Sequence, residues 1–433
     1  MITREGRAGA APPIQVLPLP ETSARFKKLF ALFSLACMVL PALAQPQAIL
    51  FVGNSFTYTR PPALNYNAAE VVDMNLANSI AKPQGSDPDL PQPWGGVPGV
   101  FKALADQAGL EMDVHHSLRG GATLRGHLLN TNPAGWDMRA NIAAKKWDVV
   151  VLQGNSTEAV NRAGGNFGQF NAYVGLLARF IQVGDARNYR ESQLYPGGSN
   201  APRTLPANPN ANPSAAIYLY QTWARPDLTY PAGTPYAGEP IETMTADLAA
   251  AYEQAAMTHA GIAGVVPVGE AFLRAVQEGV ALRNPYEPEK KGVDLWWHED
   301  QFHPSGHGAY LGALMMFGAI TQVDPASFGA SERAARALGI EPLHAMQLQA
   351  IASQQLRASG HAMALAPCLS AGRPVPGSAL LATVKEKRAA SLENTAAGQV
   401  RVPAPARTGR TRRPDPGSVP ARNRQRQVPA PPH

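Results

Sequence analysis

The chain has 433 residues, 45% of them hydrophobic, enough for a sizeable core; its length allows two or three domains, although single α/β domains of about 200–250 residues are common. The net charge of +6 sits at the ends: residues 401–433 carry eight Arg and one Asp, and the first 28 carry five Lys/Arg and two Glu, which leaves the rest near −4. A basic excess placed this way argues against nucleic-acid binding through the folded body.

In chain order, Arg25, Lys27 and Lys28 form a positive segment ahead of an apolar run, residues 29–40, too short to span a bilayer. Ala42-Leu43-Ala44 before Gln45 completes an A-x-A cleavage site, so residues 1–44 are expected to be an export signal, with no stable membrane insertion after its removal. Residues 1–24 sit oddly ahead of such a signal, and a start codon placed too early would account for them. A membrane anchor is the competing reading. A lipoprotein site at Cys37 is weakened by Ser34, which stands where an aliphatic residue is expected. Once Cys37 leaves with the signal, Cys368 is alone and no intramolecular disulfide can form.

Five apolar runs bounded by turn residues predict buried strands at 48–52, 111–115, 147–152, 216–221 and 264–268. Helical patterns fall between and after them at 97–110, 170–183, 244–259 and 308–321, and one or two peripheral helices are expected within 332–358. Alternation of this kind implies right-handed crossovers and a parallel sheet covered on both faces. The expected fold is one three-layer α/β sandwich domain with a central parallel sheet of about five strands. Three stretches rich in Pro, Asn and Gly, about 58–94, 188–214 and 279–296, read as irregular insertions of the kind that form lids or binding loops. From about residue 372 the Pro-, Ala- and Arg-rich composition predicts disorder.

In an open parallel sheet the ligand sits outside the carboxyl ends of the strands. The chemistry-bearing residues fall there. Ser55 follows the first strand in Gly53-Asn54-Ser55-Phe56-Thr57; Gly120-Gly121 follows the second; Gln153-Gly154-Asn155-Ser156 follows the third; and Asp300-Gln301-Phe302-His303 follows the fifth. A serine hydroxyl becomes a nucleophile only when a base takes its proton, and a carboxylate three residues before a histidine can hold that base in the required tautomer. Taken singly, each segment also reads as a turn or a helix cap; taken together, at successive strand ends, they read as acyl-transfer machinery.

These four segments resemble the blocks of the SGNH (GDSL-type) hydrolase superfamily, more narrowly an uncharacterised exported branch with GNSFT in place of GDS. The resemblance covers roughly residues 48–322. It implies the flavodoxin-like form of the three-layer sandwich, with Ser55 as nucleophile, Gly121 (with Gly120 one register away) and Asn155 as oxyanion donors, and Asp300 and His303 as acid and base, with no metal or cofactor. The third block departs from the family's G-x-N-D: Ser156 replaces the Asp, and Gln153 is a competing amide donor. The expected organisation is then signal 1–44, hydrolase domain 45–368 with long loop insertions, and tail 369–433.

The implied activity is that of an exported, periplasmic or extracellular, serine esterase acting on a small-molecule or polysaccharide ester, with O-acetylated carbohydrate ahead of lipid or short-chain acyl esters. Two other classes compete. His298, Glu299, His303 and His307, with His115 and His116, suggest zinc, but the spacing is not H-E-x-x-H and Pro304 interrupts a helix. A non-catalytic carbohydrate-binding protein is opposed by the intact Ser55, Asp300 and His303. Trp223 and Arg225, at the fourth strand's end, offer either a sugar-stacking platform or an aromatic packed under a loop.

Overall fold

The computed structural model describes residues 46–59, 71–77, 96–129, 137–288 and 291–364. The segment expected to be an export signal, both cysteines and the basic tail lie outside these residues. Eight strands are described: β1 (Gln47–Gly53), β2 (Val72–Asp73), β3 (Met112–Leu118), β4 (Val149–Leu152), β5 (Arg187–Arg190), β6 (Pro202–Leu205), β7 (Ala216–Tyr220) and β8 (Ile262–Val266). The helices that position the site are α1 (Ser55–Tyr58), α2 (Gly96–Gln107), α3 (Leu124–Leu129), α4 (Phe167–Gln182), α5 (Ile241–Thr258), α6 (Val268–Gln277), α7 (Gly306–Thr321) and α8 (Pro342–Ala358).

Every residue of β4 and β7, and all of β1 after Gln47, is buried. Continuous apolar strands of this kind are stable only when both faces are covered. They lie in one six-stranded sheet of order β2-β3-β1-β4-β7-β8, in which every neighbouring pair is parallel. Without the edge strand β2 this is the flavodoxin-like order, with β1 second, between β3 and β4, and the chain reversing its progress between β1 and β4. On one side α7 packs against α2 and α8; on the other α4 packs against α3 and α5. Helix α7 is buried from Gly308 to Thr321, as an all-apolar helix must be. Ser305 caps it, its Oγ accepting from the Gly308 N–H at 3.2 Å.

The five predicted strands are β1, β3, β4, β7 and β8. The last was placed two residues late: Pro267 has no N–H to give a ladder, so the strand ends at Val266 and α6, which the sequence reading missed, begins at Val268. Two of the three insertions are not wholly irregular. Val72–Asp73 adds the sixth, edge strand, and β5 and β6 pair as an antiparallel hairpin that begins at Arg187 and runs into the 188–214 insertion. The hairpin is held by Glu191, a fully buried carboxylate that accepts from Arg125, Arg203, Tyr173 and Tyr195. Those bonds outweigh the burial penalty and hold its pKa down near 2.

Candidate active site

Strand β1 delivers Ser55 through a turn so tight that a Cβ on Gly53 would lie 2.7 Å from Gln153 Oε1 and 2.8 Å from Thr57 Oγ1. Asn54, in extended conformation, caps α1 by accepting from the Phe56 N–H at 3.0 Å, which places Ser55 on the first turn. The Asn54 amide also reaches sideways, donating to the Ala122 carbonyl at 2.9 Å and to the Gly154 carbonyl at 3.1 Å. One buried side chain thus ties the nucleophile turn to the loops after β3 and β4.

His303 meets Ser55 from the other direction. Its Nε2 lies 2.8 Å from Ser55 Oγ and its Nδ1 lies 2.6 Å from Asp300 Oδ2. Asp300 Oδ1 accepts from the backbone N–H groups of Phe302 and His303, each at 3.0 Å. Burial alone would raise the Asp300 pKa, but the His303 ring and the two N–H groups hold it below the ordinary carboxylate value. An ionised carboxylate only accepts, so Nδ1 carries the proton and Nε2 presents a lone pair to the Ser55 hydroxyl. The turn between acid and base passes through Gln301 at φ 59°, a left-handed conformation that non-glycine residues adopt at a cost and that clusters at functional sites. Ser55 is 8% exposed and His303 3%, and both line one cleft, whereas the Asp300 side chain keeps 20% of its surface in solvent outside it.

That cleft, of about 270 Å³, is lined by Ser55 and His303 together with Gly121, Asn155, Arg225 and Phe302. Gly121 has φ +67° and open space where a Cβ would stand, whereas a Cβ on Gly120 would press against the Tyr58 hydroxyl at 2.9 Å. Asn155 Nδ2 donates to the Gly121 carbonyl at 3.2 Å, and the Asn155 backbone N–H donates to Glu158 Oε2 at 2.9 Å. The competing amide, Gln153, is fully buried and turned away. Its Oε1 accepts from the Asn54 N–H at 3.0 Å and the Thr57 hydroxyl at 2.9 Å, and its Nε2 donates to the Gly154 carbonyl. A larger groove of about 840 Å³ lies at the opposite, amino-terminal ends of β1, β3 and β4, beside Ala48, Met112, Lys145 and Asp148, and includes none of these residues.

Of the two readings of Trp223, the structure shows the packed aromatic and not the stacking platform. Trp223 is 0% exposed, sandwiched between Phe56 and Phe272 with ring centroids 4.5 and 4.6 Å away. Its indole N–H donates to the Phe302 carbonyl at 3.0 Å, so it supports the relay from beneath and presents no face to a ligand. Arg225 does reach the cleft, its guanidinium 4.4 Å from the Phe302 ring centroid. The histidines do not converge: His307 pairs with the ring of His344, His115 with Asp113, and no three metal-ligating side chains cluster among the described residues. Sequence reasoning missed Asn54 and Glu158. Asn54 could have been flagged as an N-cap one residue before the serine. Glu158 is a fully buried carboxylate accepting from the backbone N–H groups of Asn155 and Leu124. Burial pushes its pKa up to about 7 against the pull of those backbone bonds.

Fold and site together define a parallel α/β sandwich with a Ser–His–Asp relay at its topological switch point. No protein-family model and no curated protein matches the chain. Among solved structures it is similar to a DUF4886 family protein from Bacteroides uniformis, at 15% identity and TM-score 0.41 over 74% of this chain and 97% of that one. It is also similar to a protein from Slackia heliotrinireducens described as a candidate SGNH hydrolase, at 20% identity and TM-score 0.36 over 63% and 97% of the two chains. An aryl esterase of M. smegmatis, at 12% identity and TM-score 0.31, covers 72% and 99%.

Proposed function

We propose that residues 45–368 form an exported SGNH-type serine esterase that hydrolyses an O-acetyl ester on a carbohydrate through an acyl-Ser55 intermediate. The observation that carries the reading is the Asp300–His303–Ser55 relay, at 2.6 and 2.8 Å, opening on a cleft bounded by Gly121 and Asn155. His303 Nε2 takes the Ser55 proton as Oγ attacks the ester carbonyl. The developing oxyanion is met by the N–H groups of Ser55 and Gly121 and by the Asn155 amide. Collapse expels the alcohol, which receives its proton from His303; water then repeats the sequence on the acyl-enzyme.

Two features support the finer assignment. A cleft of about 270 Å³ falls below the about 300–1,000 Å³ usual for drug-sized ligands, which suits a short acyl group better than a lipid chain. The signal-like segment 25–44 supports export, and polymers bearing acetyl esters are what an exported esterase would meet; no helix among the described residues is long and apolar enough to cross a membrane. The test is one activity panel on purified protein: acetylated sugars against 4-nitrophenyl esters of graded chain length, with Ser55→Ala as control. Rates that climb with chain length beyond butyryl would move the assignment to lipid esters. Absence of turnover on every ester would leave a binding protein.

A further inference from the structure

Asn155 stabilises an oxyanion only if its amide nitrogen, and not its oxygen, faces the cleft. The groups around it decide this by donor and acceptor rules. Arg225 donates from Nη1 to Ser156 Oγ at 2.8 Å. A guanidinium has no lone pair to offer, so Ser156 is the acceptor in that bond and its own proton must point elsewhere. The acceptor it reaches is Asn155 Oδ1, at 3.4 Å. On the other side Nδ2 donates to the Gly121 carbonyl at 3.2 Å, where an amide oxygen would be repelled. One of the two N–H groups is thereby engaged and the other remains for the cleft.

The donor that starts this chain is itself held firmly. Asp227 grips Arg225 through Nε at 3.0 Å and Nη2 at 2.6 Å, and the guanidinium lies over Phe302. The Thr222 hydroxyl fixes the Ser156 carbonyl at 2.9 Å. Resting on the reading of Asn155 as an oxyanion donor, we infer that Arg225 and Ser156 are positioning residues that set the orientation of the Asn155 amide for the transition state. Ser156, at the point where the third block departs from the SGNH pattern, is then the relay that carries Arg225's direction to the amide.

The test is a set of variants of the full chain assayed on 4-nitrophenyl acetate. Asn155→Ala alone should lower kcat by about 10²–10³, the usual cost of one oxyanion donor. Ser156→Ala and Arg225→Met should each lower kcat about tenfold, a part of that loss, with KM within about twofold of wild type. Ser156→Thr, which keeps the hydroxyl, should recover most of the Ser156→Ala deficit. In the Asn155→Ala background neither Ser156→Ala nor Arg225→Met should cost anything further, because the group they orient is gone. If Asn155→Ala keeps kcat within about tenfold of wild type, the oxyanion assignment itself fails. If Asn155→Ala is impaired but the other changes multiply its loss, the positioning role is wrong while the assignment stands. A raised KM with unchanged kcat in Arg225→Met would make Arg225 a substrate-binding group and also overturn the inference.

Discussion

Replacing Asp300 by Asn keeps size and shape while changing what His303 Nδ1 meets. In the native site Oδ1 already receives the N–H groups of Phe302 and His303, and Oδ2 receives Nδ1–H. An Asn at this position satisfies the two backbone donors only with its oxygen on that side, which turns its NH2 toward His303. Nδ1 must then accept, the ring proton moves to Nε2, and Nε2 can no longer take the proton of Ser55, 2.8 Å away. Holding the wrong tautomer in an otherwise intact triad costs about 10⁴ in kcat, or about 5 kcal/mol of barrier. Asp300→Ala imposes no tautomer and should be milder. The assay is kcat on an acetyl ester for both variants at neutral pH, with thermal melts to confirm folding. If Asp300→Asn keeps kcat within tenfold of wild type, or is less damaging than Asp300→Ala, the tautomer argument is refuted.

Ser55→Ala and His303→Ala should each abolish nearly all turnover while leaving the fold intact, and the double variant should be no worse than either; a double loss equal to the product of the singles would mean that the pair does not act as a unit. Gly121→Ala should cost about 1–2 kcal/mol in denaturant unfolding, because the added methyl meets empty space and only the left-handed backbone at φ +67° resists it; a far larger loss would place a neighbour where none is seen. Glu158 has its pKa raised from 4.5 to about 7, so the folded state holds more protons than the unfolded one between those values and stability falls as pH rises through that window. At about 1.4 kcal/mol per unit the loss is on the order of 3 kcal/mol, and Glu158→Gln, which cannot ionise, should gain that much on wild type between pH 4 and pH 8; a pH-independent difference would contradict it.

What the sequence made legible were the features set by short-range rules. Apolar runs between turn residues mark β1, β3, β4 and β7, and placement at strand ends alone gathers Ser55, Gly121, Asn155 and His303. The misses have a common cause. The hairpin β5/β6 buries only Tyr189 and Leu205 among its residues, so neither strand carries a hydrophobic signature. Strand β2 is two residues long and exists only because β3 offers it an edge. The choice between Gln153 and Asn155 was not local either. It turns on bonds from Gln153 to Asn54 and Thr57, 99 and 96 positions away, which no window of sequence contains. Trp223 sits near the relay as expected, but whether an indole faces ligand or core depends on Phe56 and Phe272, drawn from two other elements.

The two halves of the site are built differently, and the difference bears on how it works. Ser55 and the proposed oxyanion donors Gly121 and Asn155 stand on turns leaving β1, β3 and β4, adjacent strands whose ladders fix their spacing. Asn54 then fastens all three turns to one another through the Ala122 and Gly154 carbonyls. That half is preorganised, which is where electrostatic stabilisation of a transition state gains most. His303, the proposed base, 248 positions from Ser55, comes from a loop outside the sheet. Its own turn holds it through two bonds, the Trp297 N–H donating to the His303 carbonyl at 2.7 Å and the Gln301 N–H donating to the Trp297 carbonyl at 2.8 Å, with one tie from outside, the Trp223 indole beneath Phe302. Local bonds of that kind can loosen without disturbing the sheet. Changes in the 297–303 loop should therefore act through the Ser55–His303 distance and lower kcat while leaving the oxyanion side in place; changes at Asn54 should spread to all three strand-end turns at once.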